Sequence, residues 1–189
     1  MSARAAPKAS TLVVRDSEDA DLPAIAGIYA HHVMHGFGSF EEVPPDVEEL
    51  ARRRREILGK GLPYLVASDG TGGVLGYAYA SLYRARSAYR FTVEDSIYVA
   101  PQATRRGIGR LLLEALIERC TAFGYRQMIA VIGDSGNRGS IGLHQSLGFA
   151  HAALLPTIGF KRGRWVDCVM MQRPLGPGAG VSPQEIRQP

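Results

Sequence analysis

One segment constrains the fold more than any other. Between Phe91 and Ile132 an alternating strand pattern, a long amphipathic helix pattern and a second apolar run follow in order. In FTVEDSIYVA (91–100), Ile97 and Val99 face one way and Ser96 and Tyr98 the other. Ile108, Leu111, Leu112, Ala115, Leu116, Cys120 and Phe123 then recur at helical spacing. Gly124 stands where a helix C-terminus favours a residue free to adopt positive φ. QMIAVI (127–132) is continuously apolar, as expected of a strand covered on both faces. A strand–helix–strand unit of this kind makes its two strands parallel.

The flanking segments add antiparallel pieces. TLVVR (11–15) reads as a strand, and Asp16 or Ser17 can cap a helix with Ile25, Ile28, Tyr29 and Val33 on one face. HGFGSFEEVPP (35–45) reads as a loop, and Asp46 as the cap of a helix from Val47 to about Leu58. PYLVAS (63–68) and VLGYAYASLY (74–83) form a hairpin around DGTGG. RARSAYR is a polar loop. A short helix over Ser140–Leu147 ends at Gly148, and strands over 149–155 and 166–172 flank a GFKRGRW turn. The expectation is one α/β (α+β) domain over residues 11–173. It has a single mixed, mostly antiparallel sheet, a central parallel βαβ unit and helices on both faces. Residues 1–10 and 174–189 read as flexible tails.

The turn inside the βαβ unit carries the chemistry. VAPQATRRGIGR (99–110) places Arg105, Arg106, Gly107, Ile108, Gly109 and Arg110 at a helix start. The first amides of a helix have no internal partner and point outward, where the dipole adds positive character. Glycines let an anion approach that backbone, so the turn suits phosphate or pyrophosphate. A dinucleotide fingerprint needs a third glycine where Leu112 stands, and a triphosphate loop needs a Gly-Lys-Ser/Thr ending that is absent.

The formal charge is only +4. RRRR at 52–55 wraps around a helix as a solvated surface, and no aromatic–basic interleaving supports nucleic-acid binding. His31, His32 and His35 lack a metal-type pattern. Cys120 and Cys168 read as reduced thiols, no apolar run approaches the ~20 residues that span a bilayer, and the N-terminus has no signal-peptide core. A cytoplasmic protein without metal, membrane or nucleic-acid partner is expected.

Strand–PxxxxRGxG–helix, then an apolar strand, then Asn137 and SIGLHQSLGF (140–149), resembles the GNAT superfamily of acetyl-CoA-dependent N-acetyltransferases. FGSFEEVPP, AYRFTVEDSIYV and GFKRGRWVD resemble, more narrowly, its phosphinothricin and methionine sulfone/sulfoximine N-acetyltransferase subgroup. The resemblance implies that the glycine turn holds the pyrophosphate of coenzyme A. It also implies that the backbone of Ile97, Tyr98 and Val99 pairs with the pantetheine arm, and that Asn137 touches the same ligand. One departure is Thr104, where the superfamily usually carries Gln or Arg.

Acetyl transfer needs a deprotonated amine, a polarised thioester carbonyl and a stabilised thiolate. A free α-amine titrates at roughly 7.7–8.0, so a base helps. The resemblance makes Glu94 that base, acting directly or through water. Val99 N–H becomes the carbonyl's donor, and His144 the general acid in place of a commoner tyrosine. Arg90, Phe91 and Thr92 are candidates for the substrate, since an arginine can grip a carboxylate bidentately. Phe40 and Glu42 are candidates for a loop that closes over it. The implied activity is acetylation of the α-amine of a small amino-acid-like compound, in detoxification, by a homodimer. Acetylation of a protein N-terminus or aminoglycoside, and a non-catalytic acyl-CoA-binding module, are the rival readings.

Overall fold

The computed structural model describes residues 12–70 and 72–183. Seven strands form one sheet in the order β1-β2-β3-β4-β5-β7-β6. They are β1 (Val13–Asp16), β2 (Tyr64–Ser68), β3 (Val74–Leu82), β4 (Thr92–Val99), β5 (Gln127–Gly133), β6 (Ala150–Lys161) and β7 (Arg164–Pro174). Only β4 and β5 are parallel; the remaining neighbours are antiparallel. The helices are α1 (Leu22–His35), α2 (Val47–Gly59), α3 (Ile108–Ala122) and α4 (Arg138–Ser146).

Strand alternation sorts the helices between the two faces. Tyr64, Tyr77, Tyr79 and Tyr98 stack in a row on one face, and Tyr29 of α1 meets Tyr98 edge-on at 4.9 Å. The opposite face of β3 carries Gly76, Ala78 and Ala80, so α3 packs close. A Cβ at Gly76 would come within 3.1 Å of Ile108 and 3.2 Å of Leu112. Ile108, Leu112, Leu113, Leu116 and Cys120 are fully buried there. Burying each large aliphatic contributes about 1.5–3 kcal/mol, which makes α3 the fold's main brace.

Several boundaries differ from the sequence expectation for identifiable reasons. Asp16 ends β1 rather than capping α1. A 3₁₀ turn at Asp19–Asp21 intervenes, and Pro23 occupies the first turn of α1. Asp46 does cap α2, accepting from Glu49 N at 2.8 Å. The arginine run is not uniformly solvated. Arg54 is buried, bonded to Ser17 Oγ at 2.7 Å and Asp19 Oδ1 at 2.6 Å, while Arg53 pairs with Glu41 and Glu49. The GFKRGRW segment is mostly strand, with Arg162 and Gly163 alone turning between β6 and β7 at positive φ. The ordered chain also runs past Arg173. Leu175 is fully buried and its N–H donates to Arg126 O at 2.9 Å. The tail positions 1–11 and 184–189 lie outside the described residues.

Candidate active site

The parallel pair does not stay paired. β4 and β5 match from Thr92–Gln127 to Asp95–Ala130, and then diverge. On its other edge β4 continues against β3 to Val99. Tyr83 N–H donates to Thr92 O at 3.2 Å and Ala100 N–H to Leu75 O at 2.9 Å. In that register the even-numbered residues of β4 bond to β3. Backbone N–H and C=O groups alternate sides along a strand, so Ile97 and Val99 turn theirs into the gap. Tyr98 is therefore not a backbone partner for a ligand there; its amide and carbonyl face β3. The Val99 carbonyl is occupied as well, accepting from His32 Nε2 at 2.9 Å. Burial holds the His32 imidazole below its ordinary value, although that bond raises it.

The gap opens into a cavity of about 500 Å³. Its walls are Asp95–Val99 from β4, Ala130–Ile132 from β5, the turn before α3, and Asn137, Ser140, Leu143 and His144 of α4 and its cap. The turn is built for exposed amides. Arg105 has φ 60° and Gly107, the N-cap of α3, has φ 80°. Left-handed backbone costs a non-glycine residue roughly 1–2 kcal/mol, so Arg105 holds an unfavourable conformation to keep this shape. Gly109 faces α4, where a Cβ would come within 3.1 Å of Leu143 Cδ2 and 3.7 Å of Val99 Cγ2. The result is a helix N-terminus opening on a cleft whose mouth a side chain would narrow. Such a cleft fits a diphosphate with a thin arm behind it.

The expected cofactor residues divide accordingly. Ile97, Tyr98, Val99, Arg105, Gly107, Ile108, Gly109, Arg110 and Asn137 line the cavity, whereas Arg106 is exposed and is not among its walls. Arg110 pairs with Glu114 at 2.9 Å. Asn137 caps α4, its Oδ1 accepting from Ser140 N at 3.2 Å, so its side chain already has structural work.

Glu94 and His144 lie on opposite faces of the sheet. Glu94 shares the tyrosine face. Burial, and then the charge of Asp95, push its carboxyl above the ordinary range, against the pull of Arg84. His144 is buried on the α3 and α4 face with both ring nitrogens engaged: Nδ1 with Ser140 O at 2.7 Å and Nε2 with Asp95 Oδ2 at 3.0 Å. Both nitrogens are engaged, so a proton passed to a ligand in the cavity has to leave the Asp95 contact. Burial alone would lower this imidazole, but the Asp95 hydrogen bond and charge, with the Ser140 carbonyl, outweigh it and raise it.

The expected substrate residues are less concentrated. Thr92 shares the Glu94 face. Arg90 stacks over its neighbour Phe91 at 4.5 Å and donates to Ser87 O at 3.1 Å, so it is held on its own loop. Phe40 is 43% exposed and lays its ring against the backbone of β5 and β6, where a Cβ at Gly133 would come within 2.8 Å of it and one at Gly159 would collide with it. Lys161, buried in β6, anchors this segment by donating to Ser39 O at 2.7 Å. Glu42 is exposed, while Glu41 is the acidic residue in the network, accepting from Tyr29 at 2.9 Å and Arg53 at 2.6 Å. Arg84, Asp95 and Lys161 were not singled out from the sequence. Strict alternation would have put Asp95 beneath α3 and α4, but nothing local marks the other two.

The fold and this cleft define an acyltransferase. Residues 28–149 match the model of the acetyltransferase (GNAT) family, and the chain belongs to it. It is 57% identical over 171 residues to a phosphinothricin N-acetyltransferase of Alcaligenes faecalis, covering 90% of this chain and 86% of that one. It is 43% identical over 164 residues to an L-methionine sulfoximine/L-methionine sulfone acetyltransferase of Pseudomonas aeruginosa, covering 87% and 95%. In structure it is similar to a GNAT superfamily phosphinothricin acetyltransferase from Sinorhizobium meliloti in complex with AcCoA. That likeness has a TM-score of 0.89 and 51% identity, over 93% and 94% of the two chains.

Proposed function

We propose that this enzyme transfers the acetyl group of acetyl-CoA to the α-amine of a small amino-acid-like compound. Phosphinothricin, methionine sulfone and methionine sulfoximine are the first candidates, and detoxification is the role. The observation that carries this reading is the splay of β4 from β5 beside the α3 N-terminus, which opens the sheet so that a thioester can lie between its two faces. The amides of the Arg105–Gly109 turn take the diphosphate, and the backbone of Ile97 pairs with the pantetheine arm. Val99 N–H polarises the thioester carbonyl, and a donor placed there stabilises the charge that develops. Glu94, elevated by burial, removes the amine proton from the tyrosine face. The carboxylate of the substrate goes to Arg84, whose charge acts on Glu94. The named relatives support the choice of amine.

A homodimer in the cytoplasm completes the proposal. β6 is an edge strand, and on its hairpin Phe160 and Trp165 are 58% and 61% exposed while packing edge-on at 5.3 Å. A second copy covering this row would remove both an open edge and an apolar patch. Among the described residues no helix is long and apolar enough to cross a membrane.

Thiol release from acetyl-CoA across a panel of amines tests the activity. Release with the three candidates, abolished by Glu94→Gln, is expected. Background release with every amine would overturn the reading. Sedimentation of the wild type against Trp165→Glu checks the dimer.

A further inference from the structure

Asp95 and His144 form a buried pair that the reaction as proposed so far does not use. Their side chains are 3% and 4% exposed, yet both residues line the cavity. Asp95 is also the last residue of β4 paired with β5, so the pair lies where the splay begins. Its proton content follows from its partners. The Ser140 carbonyl can only accept, so Nδ1 of His144 carries a proton. The contact between Nε2 and Asp95 Oδ2 at 3.0 Å then needs one more proton, on the nitrogen or on the carboxyl. The second carboxyl oxygen, Oδ1, is buried without a hydrogen-bond partner among the described residues. A carboxylate half-satisfied in this way is costly unless its site uses it.

We propose that Asp95 is a positioning residue for the leaving-group half of the reaction. Through His144 it fixes one shared proton at the start of the splay, and the coenzyme A sulfur takes up that proton as the carbon–sulfur bond breaks. This rests on the reading that the thioester lies in the splay. The amine nitrogen bonds to the acetyl carbon, and the carbon–sulfur pair goes to sulfur. The shared proton goes to sulfur and gives the thiol. The pair is left as neutral imidazole, still protonated at Nδ1, beside carboxylate. Glu94 receives the amine proton on the opposite face, and solvent exchange restores both groups. Adjacent residues of one strand thus serve the two proton transfers from opposite sides of the sheet. Among the described residues, two further titratable groups feel the Asp95 charge. From α3 comes Cys120, whose thiol is pushed up to about 12 by burial and the Asp95 charge, and from β4 itself comes Glu94, across the sheet. Phe149 packs edge-on against the imidazole at 4.9 Å.

The test compares wild type, Asp95→Asn and Asp95→Glu by kcat against pH, KM for acetyl-CoA and calorimetric titration of coenzyme A. A positioned acid contributes roughly 100- to 10,000-fold. Asp95→Asn is expected to lower kcat about 100-fold with KM for acetyl-CoA within about threefold. Without the carboxylate the imidazolium is less favoured, so the alkaline limb of kcat moves to lower pH. Asp95→Glu restores part of the rate and of the limb. Wild-type kcat with an unmoved limb in Asp95→Asn overturns the proposal. So does a lost rate with an unmoved limb, the signature of a merely structural residue. If Asp95→Asn does not fold, Asp95→Glu decides on the same limb. Failure of coenzyme A to bind the wild type sinks the reading of the cleft itself, and is seen separately in the calorimeter.

Discussion

The two ends of the proposed substrate path are made differently. The proposed diphosphate end is a continuous piece of chain, from Val99 to Arg110, whose backbone is shaped by Arg105 and Gly107 at positive φ. The proposed amine end, outside the cavity walls, is assembled from side chains brought together over long separations: Lys161 reaches Ser39 O across 122 residues, and Phe40 lies between Gly133 and Gly159. A backbone site tolerates exchange of most side chains but not of the residues that set its shape. A side-chain site can change its substrate one contact at a time. This makes the first end suited to a constant donor and the second to a variable acceptor.

Mutations at the two ends should therefore separate donor from acceptor kinetics. The largest effect is expected for Glu94→Gln, a fall of roughly 100- to 10,000-fold in kcat with coenzyme A binding retained. Because Glu94 is elevated and must be ionised to act, the wild-type rate should rise with pH through a value above the ordinary carboxylate range. The variant should lose that limb in a kcat/KM profile. Gly109→Val comes next. Its side chain would crowd Leu143 and Val99 at the cleft mouth, so KM for acetyl-CoA should rise at least tenfold, about 1.4 kcal/mol, with the amine KM unchanged. Lys161→Met should do the reverse. A hydrogen bond to a charged group contributes about 1.5–3 kcal/mol, and losing it frees the Phe40 segment, so the amine KM should rise about tenfold while the acetyl-CoA KM holds. The smallest effect belongs to Arg110→Gln, which breaks an exposed pair with Glu114. Stability should fall by under ~1 kcal/mol in a thermal melt.

The same contrast explains what was legible in the sequence. The βαβ unit, the Gly107–Gly109 turn and the Asp46 cap each depend on residues close together in the chain, and periodicity and turn chemistry read them directly. The face that Glu94 shares with Ser96 and Tyr98 was legible because strand alternation gives it directly. The buried Arg54 was not, because its partners Ser17 and Asp19 lie 37 and 35 residues away. One partner of His144 was hidden in the same way, since Asp95 is 49 residues distant. The length of β6 was obscured by Pro156, Gly159 and two register shifts, which interrupt the alternation a strand reading looks for.

In the proposed reaction the donor's diphosphate rests on the amides of the α3 turn, with its arm between β4 and β5. A crystal structure of the enzyme soaked with acetyl-CoA decides this. Phosphate oxygens are expected within hydrogen-bond distance of backbone nitrogens between Arg105 and Gly109, with the pantetheine arm bonded to Ile97 and the thioester carbonyl to Val99 N–H. Density for the ligand on the tyrosine face, or along the β6 edge, would contradict it.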